Sequence, residues 1–167
     1  MKIEPENPNP YNFPENGDIL FNEMNANYHH NAIIRSGISS FFLYSDSYKE
    51  AALKLFSQLD GSAYNANTLV YPLVFISRHF LELRLKELIS GLNYAVTEEF
   101  NFPKGHKLMS LWSEYKRLVN EAGEGYGPEK IHIENTEKLI LEFDSVDPGS
   151  MSFRYPVDAD KNPSLGM

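Results

Sequence analysis

The sequence predicts an all-α fold, a four-helix bundle with an extended N-terminal arm and an irregular C-terminal tail. Three observations carry that reading. The stretch Tyr71 to Ile89, YPLVFISRHFLELRLKELI, is apolar almost all the way round when laid out at about 100° per residue, as expected of a central helix with neighbours on most sides. Three further stretches repeat apolar residues at helical spacing. Glycines and a proline punctuate the chain between them, at Gly61, Gly91, Gly123, Gly125, Gly127 and Pro128.

Residues 1–18 hold Pro5, Pro8, Pro10 and Pro14 among asparagines. Each proline fixes φ and removes a donor, so this segment reads as an extended arm. Residues 19–167 form a single helical domain that includes the C-terminal flap. Its first part, residues 19–44, reads as a short helix or strand weakened by Asn22, Asn25, Asn27 and Asn31. A clear helix spans Asp46 to Leu59, with Asp46 or Ser47 as N-cap, Leu53, Phe56 and Leu59 at helical spacing, and Gly61 past its end. The central helix starts between Asn67 and Tyr71. Pro72 then falls in its first turn, where a missing N–H costs least, and Gly91 ends it. A third helix covers His106 to Asn120, with Leu108, Leu111, Trp112, Tyr115 and Leu118 inward. Pro128, at a first helical position, opens a fourth to about Phe143, with Ile133, Ile140 and Phe143 along one side. Asp147-Pro148-Gly149-Ser150 has the composition of a type II turn. Phe153 to Tyr155 reads as a short strand or hairpin.

Composition narrows the function classes. A chain of 167 residues with 42% hydrophobic residues can bury one core. The net charge of −8 argues against non-specific phosphate binding, which Lys and Arg drive. No cysteine is present, which excludes disulfides, thiolate zinc sites and a cysteine nucleophile, and fits a reducing cytoplasm. No apolar stretch is long enough to span a bilayer, so the expectation is a cytoplasmic protein without membrane contact. There is no GxxxxGK[ST], GxGxxG, HExxH or GxSxG motif. Tandem His29-His30 has no nearby carboxylate pair, so no metal and no cofactor is expected.

The candidate functional residues fall in two groups. The central helix carries an ionisable arc of Arg78, His79, Glu82 and Lys86. Arg78–Glu82 and Glu82–Lys86 are i,i+4 pairs of opposite charge. On a solvated face each contributes roughly 0.3–0.5 kcal/mol. On a helix this apolar the arc instead must be paired, or line a groove or subunit interface. His106, after Pro103-Lys104-Gly105, is either a helix cap or an acid–base group. The second group is Asp144, Asp147 and Arg154, either a latch closing the tail onto the bundle or a ligand groove.

The run YPLVFISRHFLELRLKELI followed by GHKLMSLW resembles the HEPN superfamily, small helical bundles of bacterial and archaeal defence and toxin–antitoxin systems. The shared pattern is R-H-x-L-E-L-x-L-K on a long central helix, then Gly-His-x-Leu opening a helix, over roughly residues 46–145. The FRYP tail is similar to that of uncharacterised bacterial proteins of this kind. The resemblance implies a homodimer and, for many members, metal-independent RNA cleavage. Nuclease members carry an Arg followed after four to six residues by a His. None of the Arg residues here stands in that relation to a His, and Arg78-His79 is adjacent. The family's catalytic pair is therefore not carried over. The expectation is a dimerising, regulatory binding domain with RNA or protein partners. The alternative is a divergent ribonuclease using Arg78, His79 and His106.

Overall fold

The computed structural model describes residues 40–123 and 125–165. The expectations for the N-terminal arm, for residues 19–39 and for His29-His30 lie outside them. Helix α1 spans Ser40–Ser57, α2 Ala63–Thr97, α3 Leu108–Ala122 and α4 Lys130–Val146. The described residues contain no β-strand, only an isolated antiparallel bridge between Val157 and Pro163. The all-α helical bundle is therefore observed.

Helix α2 has 35 residues and is about 52 Å long at the ordinary rise per residue. Ser62 caps it by accepting a hydrogen bond from the Asn65 N–H at 3.1 Å. The helix runs through both residues expected to bound it. Pro72 lies within it rather than in its first turn, and Gly91 is interior. Continuation past Gly91 has a physical reason. A helical glycine costs roughly 0.5–1 kcal/mol relative to alanine, whereas burying a leucine gains about 1.5–3. Leu92, the next residue, is 8% exposed, so burial wins. The helix ends where Glu98 turns left-handed at φ 60° and its N–H bonds the Tyr94 carbonyl at 2.8 Å.

Helices α1 and α3 both pack on α2, and α4 packs on α3. The core joins Leu85, Ile89 and Leu92 of α2 to Leu108, Leu111, Trp112, Tyr115, Leu118 and Val119 of α3, with Ile140 of α4 beneath. On α1 the inward register is Phe41, Ser45, Tyr48, Ala52 and Leu55, while Leu53 and Phe56 are exposed. The expected inner face at Leu53 and Phe56 is thus displaced, and the described helix already includes Ser40, upstream of the expected start at Asp46. Helix α3 begins at Leu108 and α4 at Lys130, with Pro128 two residues upstream of α4.

The tail also departs from expectation. Ser150 N–H bonds the Asp147 carbonyl at 3.4 Å, closing the expected turn. It is not type II, because the positive φ falls on Ser150, at 60°, and not on Gly149. Residues 152–154 form a turn in place of the expected strand, with Arg154 and Tyr155 N–H groups both bonded to the Met151 carbonyl.

Two glycines yield opposite expectations. Nothing lies within 4 Å of a Cβ built on Gly91. Gly91→Ala should raise stability by about 0.5–1 kcal/mol. A Cβ on Gly127 would overlap the Val119 side chain, which is buried. Gly127→Ala should lower stability by about 1–3 kcal/mol through that overpacking. Paired thermal melts check both signs.

Candidate functional site

The i,i+4 spacing of Arg78, Glu82 and Lys86 places them along one side of α2, and the fold closes over that side. Arg78 is 0% exposed and Glu82 3%. The Lys86 side chain is 13% exposed. Two segments do the closing. Gly105, at φ 86°, turns the chain after α2 so that residue 106 comes back across the helix. The turn after α4 brings Asp147 to the same place, where it is 1% exposed.

Arg78 ties the three segments together. Its Nε donates to the Asp147 carbonyl at 3.3 Å, Nη1 to Glu82 Oε2 at 3.3 Å, and Nη2 to the His106 carbonyl at 2.8 Å. Asp147 Oδ2 lies 3.8 Å from Nε, within reach of charge attraction but beyond a hydrogen bond. Asp147 Oδ1 accepts from the Met151 and Ser152 N–H groups at 2.8 and 3.0 Å, which fixes the start of the tail. The guanidinium fork suits this task because its donors diverge in one plane.

Glu82 is the second centre. Its Oε1 accepts from Lys86 Nζ at 2.9 Å and meets His106 Nδ1 at 2.7 Å. Burial pushes the Glu82 carboxyl up, but the hydrogen bonds from Lys86 and His106 outweigh it and hold the group below the usual range. Glu82 is therefore ionised, and the proton between it and His106 resides on Nδ1. The His106 side chain is 73% exposed, and its Nε2 has no partner among the described residues. Two cations, Arg78 and Lys86, balance two carboxylates, Glu82 and Asp147. Balance of this kind is what allows ionised groups to be enclosed.

The remaining candidates separate from this cluster. His79 points toward α1 and packs edge-on against Tyr48 at 4.5 Å between ring centroids, with Phe75 on another side at 6.2 Å. Burial pushes its imidazole below the ordinary range. Arg154 joins neither Asp144 nor Asp147. Its guanidinium instead lies over the Phe75 and Tyr155 rings at 5.3 and 5.5 Å. Asp144 is half-buried and its Oδ1 has no hydrogen-bond partner among the described residues. The structure thus brings together Arg78, Glu82, Lys86, His106 and Asp147, and leaves His79, Asp144 and Arg154 apart from them.

Beside His106 lies an open cleft of about 430 Å³, lined by Lys104, His106, Lys107, Ser110 and the Pro148-Gly149 turn. Sequence reading overlooked Lys104 and Lys107. Their nearness to the Gly-His pair was the available signal. Among the described residues, no group of three or more His, Cys, Asp or Glu side chains converges as metal ligands. No helix among them is long and apolar enough to cross a membrane.

The titrations have a consequence for stability. His79 has a folded-state pKa below its ordinary value, so the unfolded chain binds its proton more readily. Its contribution is present above about pH 6.5 and is lost as pH falls. Glu82 has the same sign in a lower window, below its ordinary 4.5. The chain should therefore lose stability in two stages on acidification. His79→Phe should flatten the upper stage and leave the lower one. Denaturant midpoints measured from about pH 7.5 down to about pH 2.5 check this.

Comparison with known proteins finds no matching family model, no matching curated protein and no matching solved structure.

Proposed function

We propose that the chain is a non-catalytic, regulatory HEPN-like domain of the cytoplasm that self-associates and binds a protein or RNA partner, as part of a defence or toxin–antitoxin system. The observation that carries this reading is the enclosure of Arg78. All of its guanidinium nitrogens are engaged by the protein's own carbonyls and carboxylates, and its exposed surface is nil. A phosphate clamp needs donors turned outward. The sequence supports the same reading, because the Arg-spacer-His arrangement is missing. Self-association is supported by the resemblance and by apolar residues that remain exposed, among them Leu139, Val146, Leu53 and Phe56.

One observation favours the alternative, a divergent metal-independent ribonuclease. His106 is held by the Glu82 carboxylate at Nδ1 and lines a cleft with two lysines, the surroundings an acid–base group would need. RNA incubation in EDTA separates the two. The expected result is no cleavage above that of a His106→Gln control, from a protein whose light-scattering mass exceeds 19.1 kDa. Robust cleavage that follows the protein peak and vanishes in His106→Gln would establish the alternative instead.

A further inference from the structure

A second site lies away from the Arg78 cluster and does not depend on how that cluster is read. Where the start of α1, the C-terminal part of α2, the loop after it and α3 converge, there is a cavity of about 610 Å³. Its walls carry Phe41, Phe42, Phe100, Phe102, Tyr115 and Tyr126. The rings are braced. Phe41 stacks on Phe102, and Phe100 on Tyr94, each at 4.5 Å between centroids. The single Ser90 hydroxyl hydrogen is shared between the Lys86 and Asn101 carbonyls, at 2.8 and 3.2 Å from Oγ, which ties the loop to the floor.

Two features of this cavity bear on what it would hold. The first is Gly91 on its floor. A glycine inside a helix weakens it, and no neighbour here requires one, since a Cβ would meet nothing within 4 Å. Its effect is to leave the helix backbone open to the cavity. The second is Glu87, on the rim. Both of its bonds, from Ser45 Oγ at 2.9 Å and Arg84 Nη1 at 3.0 Å, fall on Oε2. Among the described residues nothing donates to Oε1.

We infer that this cavity binds a neutral, planar heteroaromatic ring bearing an N–H donor. The aromatic walls offer faces and edges for stacking a flat ring. Oε1 offers an acceptor for one donor. The charge of Glu87 is already matched by Arg84, which also lies over the Phe42 ring at 5.6 Å and so occupies the position a ligand cation would take. Among the described residues no Lys, Arg or His lines the cavity, and Arg84 beside it is already paired with Glu87, so an anion finds no free counter-charge. A volume of this size is in the range of small-molecule sites, and the polar groups are few and convergent.

Indole is the probe, titrated into the full-length ¹⁵N-labelled chain. The expected result is saturable shifts at the amides of residues 90–92 and 100–102. N-methylindole, which lacks the donor, should bind at least about fivefold more weakly. Tryptamine and indole-3-acetate test the charge argument and should not bind more tightly than indole. Gly91→Leu fills the floor and should weaken indole binding at least about tenfold while melting no lower than wild type. Tyr126→Ala, at an exposed loop position, weakens binding without touching the helix and serves where Gly91→Leu does not fold. The inference is overturned by the absence of saturation up to about 5 mM, by shifts centred elsewhere, by tighter binding of either charged analogue, or by wild-type affinity in both variants.

Discussion

Arg78→Ala should lower the stability of the folded chain by about 3–5 kcal/mol, the loss expected when one partner of a buried ion pair is removed. Four contacts decide the size. The substitution strips the donors from two carbonyls, of His106 and Asp147, and from Glu82 Oε2. It also leaves the Asp147 carboxylate, 1% exposed, without the cation facing its Oδ2. Glu82 fares better, because Lys86 and His106 remain on Oε1. Asp147 is therefore the group stranded most severely. Arg78→Lys should recover little, since one ammonium cannot span acceptors that lie on three segments. The double variant Arg78→Ala/Asp147→Ala should cost less than the sum of its single changes, because the second removes the stranded charge. Denaturant titrations of the wild type, Arg78→Ala, Arg78→Lys, Asp147→Ala and the double variant decide it. A loss under about 1 kcal/mol for Arg78→Ala would mean that the cluster does not hold the loop and tail in place.

The sequence already contained the reason for that cluster. A helix apolar on most sides has little solvated face to spare, so an i,i+4 ladder on it was expected to be paired or to line a groove or interface. Arg78, Glu82 and Lys86 were legible in this way, and His106 was legible as their neighbour through Gly-His. The partner of Asp147 was not. Sequence separation favoured Arg154, seven residues away, over Arg78, 69 residues away, and only the path of the chain after α4 decides between them. Helix existence was legible from spacing, but helix limits were not. Pro72 and Gly91 are local penalties of a few kcal/mol at most, and the burial of Leu92 and the Ser62 cap lie outside a local reading. On α1, Leu53 and Phe56 competed with Tyr48, Ala52 and Leu55 for the inner register. The helix also includes Phe41 and Ser45 at the same helical spacing as the second set, and Ser45 is fully buried. The aromatic cavity was invisible because its residues come from α1, α2, the 98–107 loop, α3 and the 123–129 loop.

Leu85→Asp should unfold the domain or leave it insoluble, with a loss of more than about 4 kcal/mol. Leu85 is 5% exposed and belongs to the cluster that joins α2 to α3. The cost has two parts. The leucine's burial is lost, and a carboxylate enters the apolar cluster that Leu85 shares with Ile89, Leu111 and Trp112, three residues from the carboxylate of Glu82. Position controls the effect, and Leu81 tests this. It is only partly buried, at the edge of an apolar groove of about 500 Å³ between α2 and α4 that Val74, Leu139 and Val146 also line. A carboxylate there can turn toward solvent, so Leu81→Asp should cost roughly 1–3 kcal/mol and leave a folded protein. The circular-dichroism melts of the two variants should differ accordingly. Equal losses would mean that the side of α2 facing α4 is as enclosed as the side facing α3. Wild-type melting in Leu85→Asp would remove α2 from the centre of the core.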